Sequence, residues 1–293
     1  MRRRLDVELV RRGLVSSRTR AAAAVEEGRV TVGGAPTRSV ARQVDEHEPI
    51  VVAGDPPRFV SRGGEKLDAA LERFGVDVAG ARALDAGAST GGFTDCLLQR
   101  GAATVVAVDV GRAQLDWSLR QDPRVILLER TNLRGLERAA IGDEPCSVAV
   151  ADLSFISLTL VAPALARLTT PDPAFVLLVK PQFEAGRDRV SRGGIVRDPS
   201  VHRAVLADVV AGLARAGIGV TAAMPSPLRG AAGNVEFLFH ARKGDPTISP
   251  DALDAAVSEA HMSAAEDPRA SDEPLDDDGV EPTGPQDLER ESR

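Results

Sequence analysis

Leu84-Asp85-Ala86-Gly87-Ala88-Ser89-Thr90-Gly91-Gly92-Phe93 follows an apolar run and opens a helical pattern. Its small residues let a backbone approach a ligand at the carboxyl end of a strand, where open α/β sheets bind their cofactors. Asp85, Gly87, Ser89, Thr90, Gly91, Gly92 and Phe93 are the candidate contacts in this loop. The spacing is not Gly-x-Gly-x-x-Gly, which weakens a dinucleotide reading. The next apolar run, Val105-Val106-Ala107-Val108-Asp109, ends on an acid that can take both hydroxyls of a ribose. Outward from this pair, strands are predicted over 82–86, 103–109, 124–128, 147–152, 174–180, 218–223 and 235–241, with helical segments mostly between them. Such alternation predicts an α/β protein with a doubly wound sheet. A loop from Pro225 to Gly233 joins the last two strands without a helix, so they are expected to pair as an antiparallel edge. Helices are predicted around Lys66 to Phe74, ahead of the first strand, and from Ser249 to about Met262, after the last.

Residues 1–53 read as a small αα-β module. Leu5, Leu9 and Val10 share a helical face that Gly13 ends, and Ser17 can cap a second helix over Arg18–Glu27. Short strands are expected at Arg29–Val32 and Ile50–Val52. This order, with Ser17-Arg18 opening the second helix, resembles the S-four RNA-binding domain of ribosomal proteins. Arg4, Arg11, Arg12, Arg18 and Arg20 would form its phosphate-tracking surface. Residues 54–60 are expected to be a linker, 61–263 the large domain, and 264–293 a disordered acidic tail, because the tail holds nothing to bury.

The charge balance agrees with that division. The net charge of −7 over 293 residues is misleading as a whole, since 264–293 alone carries −8 and the first twenty residues carry seven arginines against Asp6 and Glu8. No apolar run approaches the ~20 residues of a membrane span, and the N-terminus lacks the apolar stretch of a secretion signal. Two cysteines, Cys96 and Cys146, make neither a disulfide framework nor a zinc cluster, and the four histidines show no ligand spacing. A cytoplasmic, metal-free monomer is expected. Of the 36 basic residues only Lys66, Lys180 and Lys243 are lysines. A chain that uses Arg wherever charge alone suffices has reason to keep Lys where a proton must be exchanged.

Asp152 closes the fourth predicted strand and Lys180 the fifth, so both reach the cofactor face; Lys66 lies on the preceding helix and Glu236 in the final hairpin strand. Two lysines and two acids suit deprotonation of a hydroxyl while it attacks a methyl group in line, with the Lys66 charge beside Lys180 easing its role as base. The glycine loop, Asp109 and the hairpin-terminated seven-strand order resemble the Rossmann-like class I S-adenosylmethionine-dependent methyltransferase fold. Lys66, Asp152, Lys180 and Glu236 match the Lys-Asp-Lys-Glu tetrad of the FtsJ-like ribose 2′-O-methyltransferases. The stretches Ser61–Leu67, Asp85–Thr94, Ala151–Ser157, Val179–Glu184 and Gly233–Glu236 are similar to the TlyA family, which joins that domain to an S-four domain. The resemblance implies 2′-O-methylation of cytidines in 16S and 23S ribosomal RNA, on ribosomal subunits, with S-adenosylmethionine as cofactor. It also implies that Gly91, Phe93, Asp109, Asn132 and Asp152 line the cofactor site and that Lys180 accepts the proton. Phe59 stands where the family pattern implies Trp, and the acidic tail is extra.

Other chemistries fit less well. Base N-methylation would want Asn-Pro-Pro-aromatic where Asp152-Leu153-Ser154-Phe155 stands, and a cytosine C5 mechanism needs a cysteine at the cofactor face, whereas Cys146 precedes its strand at the opposite end. A membrane-active haemolysin, which the family label suggests, would need a long amphipathic segment. A ribosome-binding factor without catalysis would have no use for an intact tetrad.

Overall fold

The computed structural model describes residues 2–265 apart from 16, 55, 56, 187, 188, 190–193, 231 and 232. In the small N-terminal unit β1 (Arg2–Arg4) leads directly into α1 (Leu5–Arg11), followed by α2 (Arg18–Glu26), β2 (Val30–Val32), β3 (Ala35–Pro36), β4 (Gln43–Asp45) and β5 (Ile50–Val52). Leu5 and Leu9 of α1 are fully buried against Ala21, Ala24 and Val25 of α2 and against Val30, Val32, Val44 and Ile50. Ser17 caps α2, its hydroxyl accepting from the Arg20 N–H at 3.2 Å. The arginine run ahead of α1 is itself a short strand. Arg2–Arg4 pairs antiparallel with Gln43–Asp45, a ladder made by backbone groups that no side-chain pattern announces.

The large unit consists of α3 (Gly63–Phe74), β6 (Arg82–Ala86), α4 (Gly92–Gln99), β7 (Thr104–Val108), α5 (Trp117–Arg120), β8 (Val125–Leu128), β9 (Cys146–Ala151), α6 (Leu158–Leu168), β10 (Thr169–Val179), α7 (Pro181–Glu184), α8 (Pro199–Ala214), β11 (Ile218–Pro225), β12 (Phe237–Lys243) and α9 (Pro250–Ala265). Its sheet runs β11-β12-β10-β9-β6-β7-β8. The strands from β10 to β8 are parallel, and β12 is antiparallel to both β10 and β11. Both faces are covered. Leu84, Val106, Ala149 and Leu177 face one apolar layer, and Ala83, Val105, Val150 and Val176 face the other. This is why the strands read as continuous apolar runs.

Four ladders stop one residue before the chemistry. Asp109, Asp152 and Lys180 are the first residues beyond β7, β9 and β10, and Glu236 is the last before β12, not members of those strands as expected. Because β12 runs antiparallel, its start lies at the carboxyl edge of the parallel strands. Glu236, Lys180, Asp152 and Gly87 therefore follow one another across the neighbouring strands β12, β10, β9 and β6. The last helix extends to Ala265, past the predicted Met262; the rest of the acidic stretch 264–293, and Asp55 and Pro56 of the linker, lie outside the described residues.

Candidate active site

The loop after β6 is shaped by close approaches. Gly87 has φ +88°, and a Cβ there would lie 2.5 Å from the Asp152 carbonyl oxygen, so only glycine lets β6 and β9 release their loops side by side. A Cβ on Gly92 would lie 2.3 Å from Ser61 Oγ. Its absence brings the start of α3, and with it Lys66, against the loop. Ser89, at φ +47°, donates its N–H to Asp109 Oδ2 at 2.8 Å, and Asp109 Oδ1 accepts from Gly111 N–H at 2.6 Å. Gly87, Ser89, Thr90, Gly92, Phe93 and Asp152 line one cavity of about 340 Å³. The other residues read as cofactor contacts do not line that cavity. Gly91 packs beneath the loop, where a Cβ would meet Leu119 at 2.3 Å, and Asp109 holds the loop through the Ser89 N–H at the end of the neighbouring strand. Asn132 is exposed and caps a short turn through the Arg134 N–H at 3.1 Å. Asp85 is fully buried below the loop, accepting from Thr94 Oγ1 at 2.6 Å on Oδ2, while Oδ1 has no partner among the described residues. Burial, with the charge of Asp152 adding to it, pushes the Asp85 carboxyl up to about 7.

Lys66, Lys180 and Glu236 line the same cavity as the loop. Lys66 Nζ donates to Glu236 Oε2 at 2.5 Å, with side chains 10% and 2% exposed. Lys180 Nζ lies 2.5 Å from Asp152 Oδ1 and donates to Ser154 Oγ at 3.1 Å. Lys66 is thus not a bare charge beside Lys180. Each ammonium has its own carboxylate, and two neutral pairs stand in one pocket. Gly230 completes it, since a Cβ there would lie 2.1 Å from Glu236 Oε1.

The FtsJ-like methyltransferase family matches residues 59–243, and the S4 domain family matches residues 3–50. TlyA of Mycobacterium tuberculosis (strain ATCC 25618 / H37Rv), a 16S/23S rRNA (cytidine-2′-O)-methyltransferase, is 51% identical over 266 residues, covering 88% of this chain and 97% of that protein. The chain belongs to the TlyA family of FtsJ-like methyltransferases. Hemolysin A of Brachyspira hyodysenteriae is 40% identical over 237 residues, 81% of this chain and 98% of that protein. A solved structure from Streptococcus thermophilus, also carrying the hemolysin name, superposes with a TM-score of 0.73 at 41% identity, covering 89% of this chain and 96% of that one. Among the described residues no helix is long and apolar enough to cross a membrane, and no group of His, Cys, Asp or Glu could hold a metal ion.

Several residues of this FtsJ-like cavity were not singled out from the sequence. Ser61, Arg62, Ser154, Phe155, Gln182, Phe183 and Gly230 all line it. Phe155 is 89% exposed at φ +64°, and its ring centroid lies 4.9 Å from that of Phe183. In a chain with only eight Phe, an aromatic three residues after a strand-end acid is the one signal that could have marked it. Asn234 is 3% exposed and clasps the segment before α8, accepting from Val196 N–H at 3.1 Å and donating to the Gly194 carbonyl at 3.0 Å. This ties that segment to the loop bearing Glu236. Phe59 is 1% exposed and fills the space left by Gly64. Both cysteines are buried, and burial raises Cys96 to about 12 and Cys146 to about 11; Cys146 is the first residue of β9, at the edge away from Asp152.

On the S4 domain, Arg4 and Arg18 meet on Asp6, and Arg11 and Arg12 on Glu8. Arg12 departs from its expected role. Three of its four remaining N–H groups go to the carbonyls of Asp45, Glu46 and Glu48 at 2.8–2.9 Å, so it braces the fold. Arg20 is half-buried, its Nε without a partner among the described residues.

Proposed function

We propose that the chain transfers a methyl group to the ribose 2′-hydroxyl of cytidine in 16S or 23S ribosomal RNA, using S-adenosylmethionine, as a cytoplasmic monomer acting on ribosomal subunits. The observation that carries this reading is the meeting of two lysine–carboxylate pairs with a glycine-built loop in one cavity. That loop fits the cofactor. Three glycines there have no room for a side chain, and the Asp109 carboxylate, already fixed by two N–H groups, keeps lone pairs free for ribose hydroxyls. Bound there, S-adenosylmethionine supplies an activated methyl group. Gly87, Ser89, Thr90, Gly92 and Phe93 would hold it, with Gly91, Asp85 and Asn132 supporting the loop and the neighbouring turn from behind.

Lys180, after its ammonium has released one proton to solvent, takes the proton of the attacking hydroxyl as a neutral amine and returns to the ammonium paired with Asp152; Asp152 and Ser154 fix the position of its Nζ. The Lys66–Glu236 pair, lining the same cavity, orients the ribose, and being nearly dry it holds its geometry firmly. The exposed Phe155 ring, backed by Phe183, offers the target base a stacking surface once it leaves its own stack. On the S4 domain Arg4, Arg11, Arg18 and Arg20 meet phosphates. Nucleoside mass spectrometry of ribosomal subunits incubated with purified protein and S-adenosylmethionine tests the reading. It predicts 2′-O-methylcytidine. Base-methylated cytidine would contradict the ribose assignment, and tight subunit binding with no methylation would make the chain a binding factor.

A further inference from the structure

Two acids lie at the centre of the arginine face. Asp6 and Glu8, in the first turn of α1, are 5% and 1% exposed. They lie near the surface, covered by the arginine side chains themselves. Both carboxyls are held down at about 2, Asp6 chiefly by its hydrogen bonds from Arg4 and Glu8 chiefly by those from Arg11. Charge alone gives them no place on a surface that meets a polyanion, since each subtracts from the attraction.

The hydrogen bonds explain their presence. Arg4 grips Asp6 through Nε at 3.1 Å and Nη2 at 3.2 Å. Arg18 grips it through Nε at 3.1 Å and Nη2 at 2.7 Å. Arg11 holds Glu8 through Nε at 2.8 Å and Nη2 at 2.5 Å. All three guanidiniums spend the same edge on a carboxylate. Their Nη1 groups have no partner among the described residues, and the side chains are 44%, 61% and 48% exposed. A guanidinium has five donors in a rigid fork, so it can be held by one edge and bind with another, which an ammonium cannot do. Asp6 also brings Arg4 and Arg18 together, two like charges that would otherwise repel.

We propose that Asp6 and Glu8 are positioning residues that order Arg4, Arg11 and Arg18 in advance, so that their free Nη1 edges form one array for the phosphodiester backbone of an RNA strand. The ordering of three long side chains is then complete before RNA arrives, and binding no longer bears its cost. This rests on the reading that these arginines meet RNA.

The test uses the full chain and transcribed 23S ribosomal RNA in filter binding over a series of potassium chloride concentrations. Asp6→Asn adds a unit of positive charge to the face. The proposal nonetheless expects affinity to fall about three- to tenfold and the log–log salt slope to flatten by up to about one. Tighter binding with a steeper slope would overturn it. Arg18→Lys covers the event that Asp6→Asn unfolds the domain, because Arg18 is largely exposed. A lysine must choose between Asp6 and phosphate, so it should bind RNA nearly as poorly as Arg18→Gln; affinity close to that of the unsubstituted chain would equally overturn the proposal. If Asp6→Asn folds, Arg18→Gln should cost less on top of it than alone, whereas strict additivity would leave Asp6 with a merely structural part. The triple variant Arg4→Gln/Arg11→Gln/Arg18→Gln separates the two layers. Unchanged RNA binding by the triple removes the RNA-contact reading and the proposal with it; weakened binding by the triple beside tighter binding by Asp6→Asn removes the proposal alone.

Discussion

In the S4 domain one buried carboxylate gathers two arginines and leaves each an outward edge, whereas at the carboxyl edge of the large sheet each carboxylate meets a single lysine inside a cavity. Both regions pair bases with acids, and the residue types diverge with the task. A guanidinium keeps its charge at any accessible pH and can be gripped and still bind, which suits phosphate. An ammonium is a point charge that can surrender a proton, which suits a base acting on a hydroxyl. With Lys180 as the proposed base, this contrast accounts for one lysine among 33 arginines; Lys66 instead pairs with Glu236 in a slot only 10% exposed, which a bulkier guanidinium would disturb. Lys243 shares neither reason. Its Nζ donates to the Thr169 carbonyl at 3.2 Å at the opposite end of the sheet, and nothing in its surroundings explains why it is not Arg.

The contrast can be broken at several points. Asp152→Asn keeps the size of the side chain that holds Lys180 but not its charge; single-turnover methylation should fall by about 10²–10³ while RNA affinity stays unchanged. A fall in RNA affinity instead would move Asp152 to the binding side. Lys66→Arg retains a charge beside Glu236 in a slot only 10% exposed, and is expected to slow the same step by about tenfold through displacement alone.

Asp85 offers a test of stability. Its folded value of about 7 lies above the ordinary carboxylate value, so its contribution is fully present below pH ~4 and is lost as pH rises toward 7. Asp85→Asn should remove from the thermal unfolding profile the loss of stability that accompanies rising pH across that window. An unaltered profile would mean that the carboxyl is solvated. The smallest expected effect is that of deleting residues 266–293, which should leave melting temperature and methylation as they are. Improved RNA binding by the truncated chain would show the acidic stretch competing for the arginine face.

Much of this was legible in the residue order, because the large sheet is buried on both faces and its strands stand out as apolar runs ended by Asp109, Asp152 and Lys180. The ladders stop one residue sooner than the apolar runs suggest, which frees those side chains at the edge. The β1–β4 pair was not legible, since three arginines in a row carry no alternation and the ladder is made by backbone. Glu8 with Arg11 and Arg12 follows from helical spacing. Asp6 with Arg18, and Lys66 with Glu236 across 170 residues, needed the tertiary structure. The depth of Asp85 was hidden for a different reason: an acid beside a glycine loop reads as a ligand contact, and only packing shows that it lies beneath the loop. The left-handed backbone of Phe155 has no signature in the residue order at all.

The central claim is that the cavity needs a base able to hold and release a proton, where the RNA face needs only fixed charge. Lys180→Arg tests it most directly. Single-turnover methylation of ribosomal subunits should drop by ~10²–10⁴, while calorimetric affinity for S-adenosylmethionine and filter-binding affinity for RNA remain those of the unsubstituted chain. Near-normal turnover would show that a permanent positive charge suffices beside Asp152, and would contradict the assignment of Lys180 as the proton acceptor.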